Sequence, residues 1–251
     1  MILTNKLRKY IRSLHLNKYR QKYNKFIAEG PKICAEFIQS TTNYEIDNIV
    51  CTQEWYDKND RVIQSVTDKA VITDEKGLQS ISLLQKANDV LIVADKGSQV
   101  HIDATSISDQ WALYTDQVQD PGNMGTIIRI ADWYGINTVI TSPDSVDCYN
   151  PKVVQSAMGS HNRIALYSID AQTWPLEEVE TYALVLGGED LTQLSMTSLK
   201  PGLLILGNES KGIKPALSKE CKHRVTIPKK GGAESLNVAV ACGIACQLLV
   251  K

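Results

Sequence analysis

The 251-residue chain lacks the patterns that mark several common function classes. No apolar run approaches the roughly 20 residues of a membrane-crossing helix, and the first residues lack the apolar core of a secretion signal. A cytoplasmic protein is expected. The six cysteines (Cys34, Cys51, Cys148, Cys221, Cys242 and Cys246) form no CxxC pair, and only Cys221 has a histidine, His223, close by. That spacing excludes the usual zinc sites and disulfide frameworks and fits idle or buried thiols in a reducing compartment, so no metal is expected. No GxGxxG follows a strand pattern and no GxxxxGK[ST] occurs, which removes the usual dinucleotide fold and the P-loop nucleotidases. Ser, His and Asp stand at no spacing that singles out a hydrolytic triad. Internal repeats and low-complexity tracts are missing. An excess of one charge is missing too: 27 Lys and Arg meet 28 Asp and Glu, a net charge of −1, which gives no argument for nucleic acid.

What is present is a hydrophobic share of 43%, enough for one large domain or two modest ones with buried cores. The charge is also unevenly spread. Between Met1 and Lys32 nine bases (Lys6, Arg8, Lys9, Arg12, Lys18, Arg20, Lys22, Lys25 and Lys32) face one acid, Glu29. Tyr10, Tyr19, Tyr23 and Phe26 interleave with them, a combination suited to phosphate contact and base stacking. A solvated helix face is the plainer alternative.

Apolar periodicity predicts helices over about 5–14 and near 77–84, an apolar-periodic segment over 31–39, and strands at 46–51, 70–73 and 90–94. These make a compact α/β unit over residues 1–100. The punctuated stretch "ADKGSQVHIDATSISDQ" places a boundary between Lys96 and Ser108. A second unit, residues 108–251, opens on the strand "WALYTD". It continues with a helix over 124–134, strands at 137–141, 182–186, 203–206 and 224–227, and a final helix from Leu236 to about Val250. Strands separated by helices predict a parallel sheet covered on both faces.

Three loops that follow strands carry the chemistry. In "DQVQDPGNMGTIIRIADWYG" a tight loop leads into a helix whose apolar face holds Ile127, Ile130, Ala131 and Tyr134, with Arg129 on the opposite side. Arg129 reads either as a solvated cation or as a fixed charge at a strand end, where open α/β sheets gather ligands. Asn123 is compatible with an N-cap and with a site role. In "LLILGNESKGI" glycines let the backbone approach a ligand, and Glu209 is either surface charge or part of the site. In "VTIPKKGGAESLNVAVACGIACQLLV" Ser235 is placed to cap a helix that is apolar nearly all round and therefore expected to be buried on several sides or at a subunit interface. Asn237 on that helix needs a partner, which either Asn123 or Glu209 supplies.

In this order the loops resemble the three signature motifs of the SpoU/TrmH family of RNA ribose 2'-O-methyltransferases, in the knotted SPOUT superfamily. The resemblance covers about Trp111 to Val250 and includes "NPKVVQSAMGS" between the first two loops. The first third is similar to the family's L30e-like substrate-binding domain. The resemblance implies an S-adenosylmethionine pocket formed by a deep C-terminal trefoil knot, and a homodimer whose active site draws on both subunits. By position Arg129, Asn123, Glu209, Ser235 and Asn237 match the catalytic motif residues, and Gly207, Ile227 and Leu236 the positions that hold the cofactor. Arg12, Lys18, Arg20, Lys22 and Lys25 become candidate RNA contacts. The chain departs from the motifs at Ala239, where serine is common, at Lys229, where an apolar residue is usual, and at Asn208 and Ser210, where "NES" replaces "GEG".

A ribose 2'-hydroxyl is a poor nucleophile, so methyl transfer needs proton removal, alignment or oxyanion stabilisation, and no metal. The implied activity is ribose methylation of structured RNA, with ribosomal RNA favoured over transfer RNA because of the separate substrate domain. Two alternatives remain at this point: a non-catalytic RNA-binding protein with a degenerate knotted dimerisation domain, and an α/β enzyme acting on a small phosphorylated metabolite.

Overall fold

A computed structural model describes residues 2–40, 44–97, 102–194 and 199–250. The boundary expected between Lys96 and Ser108 falls partly on residues 98–101, outside the described residues. The chain forms two compact units, one made of Met1–Ser98 and Asp147–Asn162, the other of Gln99–Val146 and Arg163–Lys251.

The first unit begins with α1 (Asn5–Ser13), capped by the Thr4 hydroxyl on the Leu7 amide, and α2 (Asn17–Tyr23), ended by Asn24 in a left-handed conformation. There follow β1 (Lys25–Glu29), α3 (Pro31–Gln39), β2 (Ile46–Cys51), α4 (Gln53–Lys58), α5 (Asp60–Ile63), β3 (Ala70–Ile72), α6 (Glu75–Gln79) and β4 (Val90–Asp95). The sheet order is β1-β4-β2-β3, with β4 antiparallel to both neighbours and β2 parallel to β3. Strand β1 gives no alternating signal because Phe26, Ile27 and Ala28 are all buried, Phe26 in one core cluster and Ile27 in another. Helix α6 is shorter than the pattern over 77–84 predicts. The buried Glu29 carboxylate accepts from the Ser82 hydroxyl and the Leu83 amide, drawing the chain out of the helix.

The second unit contains β5 (Ala112–Thr115), α7 (Pro121–Trp133) and β6 (Thr138–Thr141). The chain then contributes α8 (Pro151–Ala157) to the first unit before β7 (Ala165–Ser168), β8 (Thr181–Asp190), β9 (Leu203–Leu206), α9 (Pro215–Glu220), β10 (His223–Thr226) and α10 (Val238–Leu249). The strand order is β10-β8-β9-β5-β6-β7, and every adjacent pair is parallel. The loops that follow the strands therefore open on one edge of the sheet. Edge strand β7 is half-exposed or exposed throughout, which is why its sequence shows no apolar run.

Helix α8 enters the core of the first unit through Val154, beside Phe26 and Phe37. Arg20 Nε donates to Asp147 at 2.8 Å, and the Tyr44 hydroxyl donates to the His161 carbonyl at 3.1 Å. His161 is fully buried, with Nε2 2.9 Å from the Cys148 carbonyl, and burial pushes its ring down to about 4. All six cysteines are free and buried, and burial raises the Cys51 and Cys221 thiols to about 11, which leaves them unreactive at neutral pH.

Two helix starts differ from the sequence pattern. Helix α7 begins at Pro121, with Asp120 and not Asn123 as its cap: the Asp120 carboxylate accepts the Asn123 amide at 2.8 Å. Helix α10 is capped by Asn237 and not by Ser235. Its Oδ1 accepts the Ala239 and Val240 amides at 2.9 and 3.3 Å, so Ser235 and Leu236 remain in the loop. Nor is α10 covered all round, since Val240 is 52% exposed. Among the described residues no helix is long and apolar enough to cross a membrane.

Candidate functional site

The loops after β5, β9 and β10 are joined by side-chain amides. Asn123, in the first turn of α7, donates through Nδ2 to Glu209 Oε1 at 2.9 Å and accepts at Oδ1 from Asn237 Nδ2 at 2.8 Å. Asn237 uses both ends of its amide, the oxygen on α10 and the nitrogen on Asn123. An amide suits the middle position because it presents one donor to the carboxylate and one acceptor to the second amide. Of the two partners open to Asn237 in the sequence, Asn123 is the one found.

The β9 loop is held at both ends. A Cβ on Gly207 would lie 2.2 Å from the Gly212 carbonyl carbon and 2.3 Å from the Ile213 nitrogen, so only glycine fits there. Asn208 and Gly212 exchange backbone hydrogen bonds at 2.9 and 3.0 Å, closing the turn. The Asn208 side chain accepts from the Ser210 and Lys211 amides and donates to the Gln117 carbonyl at 2.8 Å. This accounts for the Asn208 departure: its amide ties the β9 loop to the β5 loop. At the far end the buried Asp116 carboxylate accepts the Lys214 amide at 2.7 Å, and burial raises its pKa. Asp116 and Asn208 are positioning residues that the sequence reading missed, although both sit inside the quoted loops.

Beside this junction, within the second unit, lies a cavity of about 810 Å³, in the range of small-molecule sites. Gly207, Glu209, Ile227, Ser235 and Leu236 all line it, together with β8 residues such as Val185. Asn123 and Asn237 instead line an open groove between α7 and α10 whose other walls include Ile130, Val240 and Ile244. Arg129 is exposed on α7, belongs to the lining of neither, and has no ion-pair partner among the described residues. Ala239 is buried, its amide on Asn237, so the position takes a methyl group without strain. Among the described residues no cluster of three His, Cys, Asp or Glu side chains is placed to hold a metal ion.

The N-terminal cations divide. Arg20, a candidate RNA contact in the sequence, is 2% exposed. Its guanidinium is spent on Asp147 and on the Leu14 and His15 carbonyls, so it is a structural residue. Lys25 lies 2.9 Å from both Asp47 and Asp95, which neutralise it. Phe26 is wholly buried and offers no stacking surface. Arg12, Lys18 and Lys22 remain exposed, with the Lys18 and Lys22 ammonium groups 5.0 and 5.5 Å from the Tyr19 and Tyr23 ring centres. Those two rings stack at 6.1 Å, and Tyr10 meets Tyr23 edge-on.

Comparison with known proteins gives a consistent result over nearly the whole chain. Residues 110–247 match the SpoU rRNA Methylase family, and residues 5–91 match the MRM3-like substrate binding domain. A 23S rRNA guanosine 2'-O-methyltransferase of Bacillus subtilis, RlmP, is 30% identical over 243 residues, covering 93% of this chain and 91% of that protein. A TrmH-family protein from Porphyromonas gingivalis superimposes with a TM-score of 0.83 at 30% identity, over 99% of this chain and 98% of that one. An AdoMet-bound rRNA methyltransferase from Sinorhizobium meliloti does so with a TM-score of 0.83 at 27% identity, over 98% and 94%.

Proposed function

We propose, from the premise that the chain belongs to the SpoU rRNA methylase family, that it methylates a ribose 2'-hydroxyl of ribosomal RNA with S-adenosylmethionine as donor. The observation that carries this reading is the Glu209–Asn123–Asn237 junction, which draws three strand-end loops together at the rim of one cavity. The residues present fit the donor. The cavity has nucleoside size, Gly207 exposes backbone that no side chain can cover, and Ile227 and Leu236 offer apolar surface. Gly207, Ile227 and Leu236 would hold it. Bound there, the donor supplies a methyl group already activated by its positive sulfur.

The remaining work falls to this chain. The guanidinium of Arg129 presents N–H donors and no acceptor, so its part in the reaction is that of a donor and not of a base. Its role is to clamp the phosphate next to the target ribose and to stabilise the forming oxyanion, while a phosphate oxygen or water takes the proton. Glu209, Asn123 and Asn237 hold the loops in register, and Ser235 shapes the acceptor side of the cavity. Residues 1–100 grip the RNA through Arg12, Lys18 and Lys22, and residues 108–251 carry out transfer in the cytoplasm. A homodimer belongs to the same reading. Trp133 is 84% exposed and the groove between α7 and α10 has apolar walls at Ile130, Val240 and Ile244, surface that a second copy would cover while bringing the partner's loops to Arg129. The deep trefoil knot is likewise part of this reading.

Mapping ribose methylation in ribosomal and transfer RNA from cells with and without the protein tests the activity. One ribosomal 2'-O-methyl group should disappear; a loss confined to transfer RNA, or no loss at all, removes the proposal. Arg129→Lys keeps the charge but loses the fork, and should lower methyl transfer at least tenfold with RNA binding intact.

A further inference from the structure

The donor cavity is ringed by cations that none of the described residues neutralises. Lys211, Lys219, Arg224, Lys229 and Lys230 all line it, all are exposed, and among the described residues none makes an ion pair. Only Glu209 and Glu234 stand against them in the lining, and Glu209 is engaged by Asn123. The unit as a whole leans the other way. Residues 99–146 and 163–251 contain eleven Lys and Arg against fifteen Asp and Glu. Three other cations of this unit are matched: Arg163 with Asp132 at 2.8 Å, Lys214 with Asp144 at 2.9 Å, Lys222 with Glu180 at 3.3 Å. Five unmatched like charges around one opening repel one another, and a ligand carrying several negative charges relieves that repulsion.

The methyl donor is not that ligand. Its one carboxylate is balanced by its own ammonium group, and its sulfur is positive, so it arrives with a net positive charge. A phosphodiester chain is the partner with the right chemistry, since it places an anion at every nucleotide on either side of the one being modified.

We propose that Lys211, Lys219, Arg224, Lys229 and Lys230 form a phosphate rail at the mouth of the donor cavity, which holds the RNA backbone flanking the target ribose. The inference rests on the reading of this cavity as the methyl-donor site. The rail positions the acceptor strand, and the conversion of an apolar motif position to Lys229 adds one contact to it. Its sequence-independent grip leaves the choice of nucleotide to other surfaces.

The test replaces Lys211, Lys229 and Lys230 by Gln in the full-length protein. Binding of 23S ribosomal RNA is then followed between about 50 and 300 mM salt, and S-adenosylmethionine affinity is followed by calorimetry. Each lost phosphate contact removes roughly 0.7 from the slope of log affinity against log salt on single strands, so the slope should fall by about 2. RNA binding should weaken roughly tenfold near 150 mM salt, with donor affinity unchanged. An unchanged slope overturns the rail, as does a tenfold loss of donor affinity with RNA binding intact. Methyl transfer by the unmodified protein on the same RNA is scored separately, so that inactivity there counts against the catalytic reading and the slope against the rail.

Discussion

At the scale of single residues, the site depends on Asn123 having a donor on one side and an acceptor on the other. Asn123→Asp preserves shape while turning the group facing Glu209 Oε1, 2.9 Å away, from an N–H into a carboxylate oxygen. Two carboxylates so placed repel, and the lost donor leaves Glu209 unsatisfied, at about 1–3 kcal/mol for a partly buried group. Asn123→Ala loses the same bonds without adding charge. The aspartate variant should therefore bind S-adenosylmethionine more weakly than the alanine variant, and both more weakly than the unmodified protein. Calorimetric titration of the three proteins at pH 7.5 checks this order, and equal affinities would show that the junction does not shape the cavity. The same residue shows how far sequence reading reaches. Its importance is visible from the loop it sits in, but its partner is not, because Glu209 and Asn237 lie 86 and 114 residues further on. Arg20 is the converse case. Its sequence neighbours are cations and tyrosines, so it reads as a surface charge, and the distant Asp147 holds it inward together with the Leu14 and His15 carbonyls.

At the scale of elements, the strands with continuous apolar runs are legible in advance. Strands β4, β5 and β9 are buried from end to end or nearly so, and their apolar runs mark them. Edge strand β7 and the helix starts are less so, because an edge strand needs no apolar face and a cap is decided by competition between neighbouring side chains. Asp120 prevails over Asn123, and Asn237 over Ser235, in that competition. The β9 loop makes a further prediction at this scale. Gly207→Ala forces a Cβ to 2.2 Å from the Gly212 backbone, which separates the Asn208–Gly212 pair. Overpacking of this kind costs about 1–3 kcal/mol. Thermal unfolding should occur several degrees lower, and donor affinity should fall at least tenfold. Gly232→Ala serves as the contrast, since its Cβ would meet nothing within 4 Å. If the two variants melt together, the close approach at Gly207 is not what shapes the turn.

At the scale of the whole molecule, the buried His161 makes stability depend on pH. Burial lowers its folded-state pKa to about 4, below the 6.5 of an exposed imidazole. Its contribution is complete above 6.5 and is lost as pH falls through the window from 6.5 toward 4, where the unfolded chain binds the extra proton. The full difference amounts to roughly 3 kcal/mol. Urea midpoints measured from pH 7.5 to 4.5 should fall more steeply for the unmodified protein than for His161→Phe, which has no proton to bind; parallel slopes would contradict the burial argument. His161 belongs to the run 147–162, which lies between β6 and β7 in sequence yet completes the first unit. During translation, residues 1–98 emerge without the helix that fills their core at Val154 and without the carboxylate that receives Arg20. The amino-terminal unit therefore acquires its full set of core and ion-pair contacts only after a stretch of the second unit has been made. Its last segment, residues 147–162, clears the exit tunnel only after β5, α7 and β6 have been delivered.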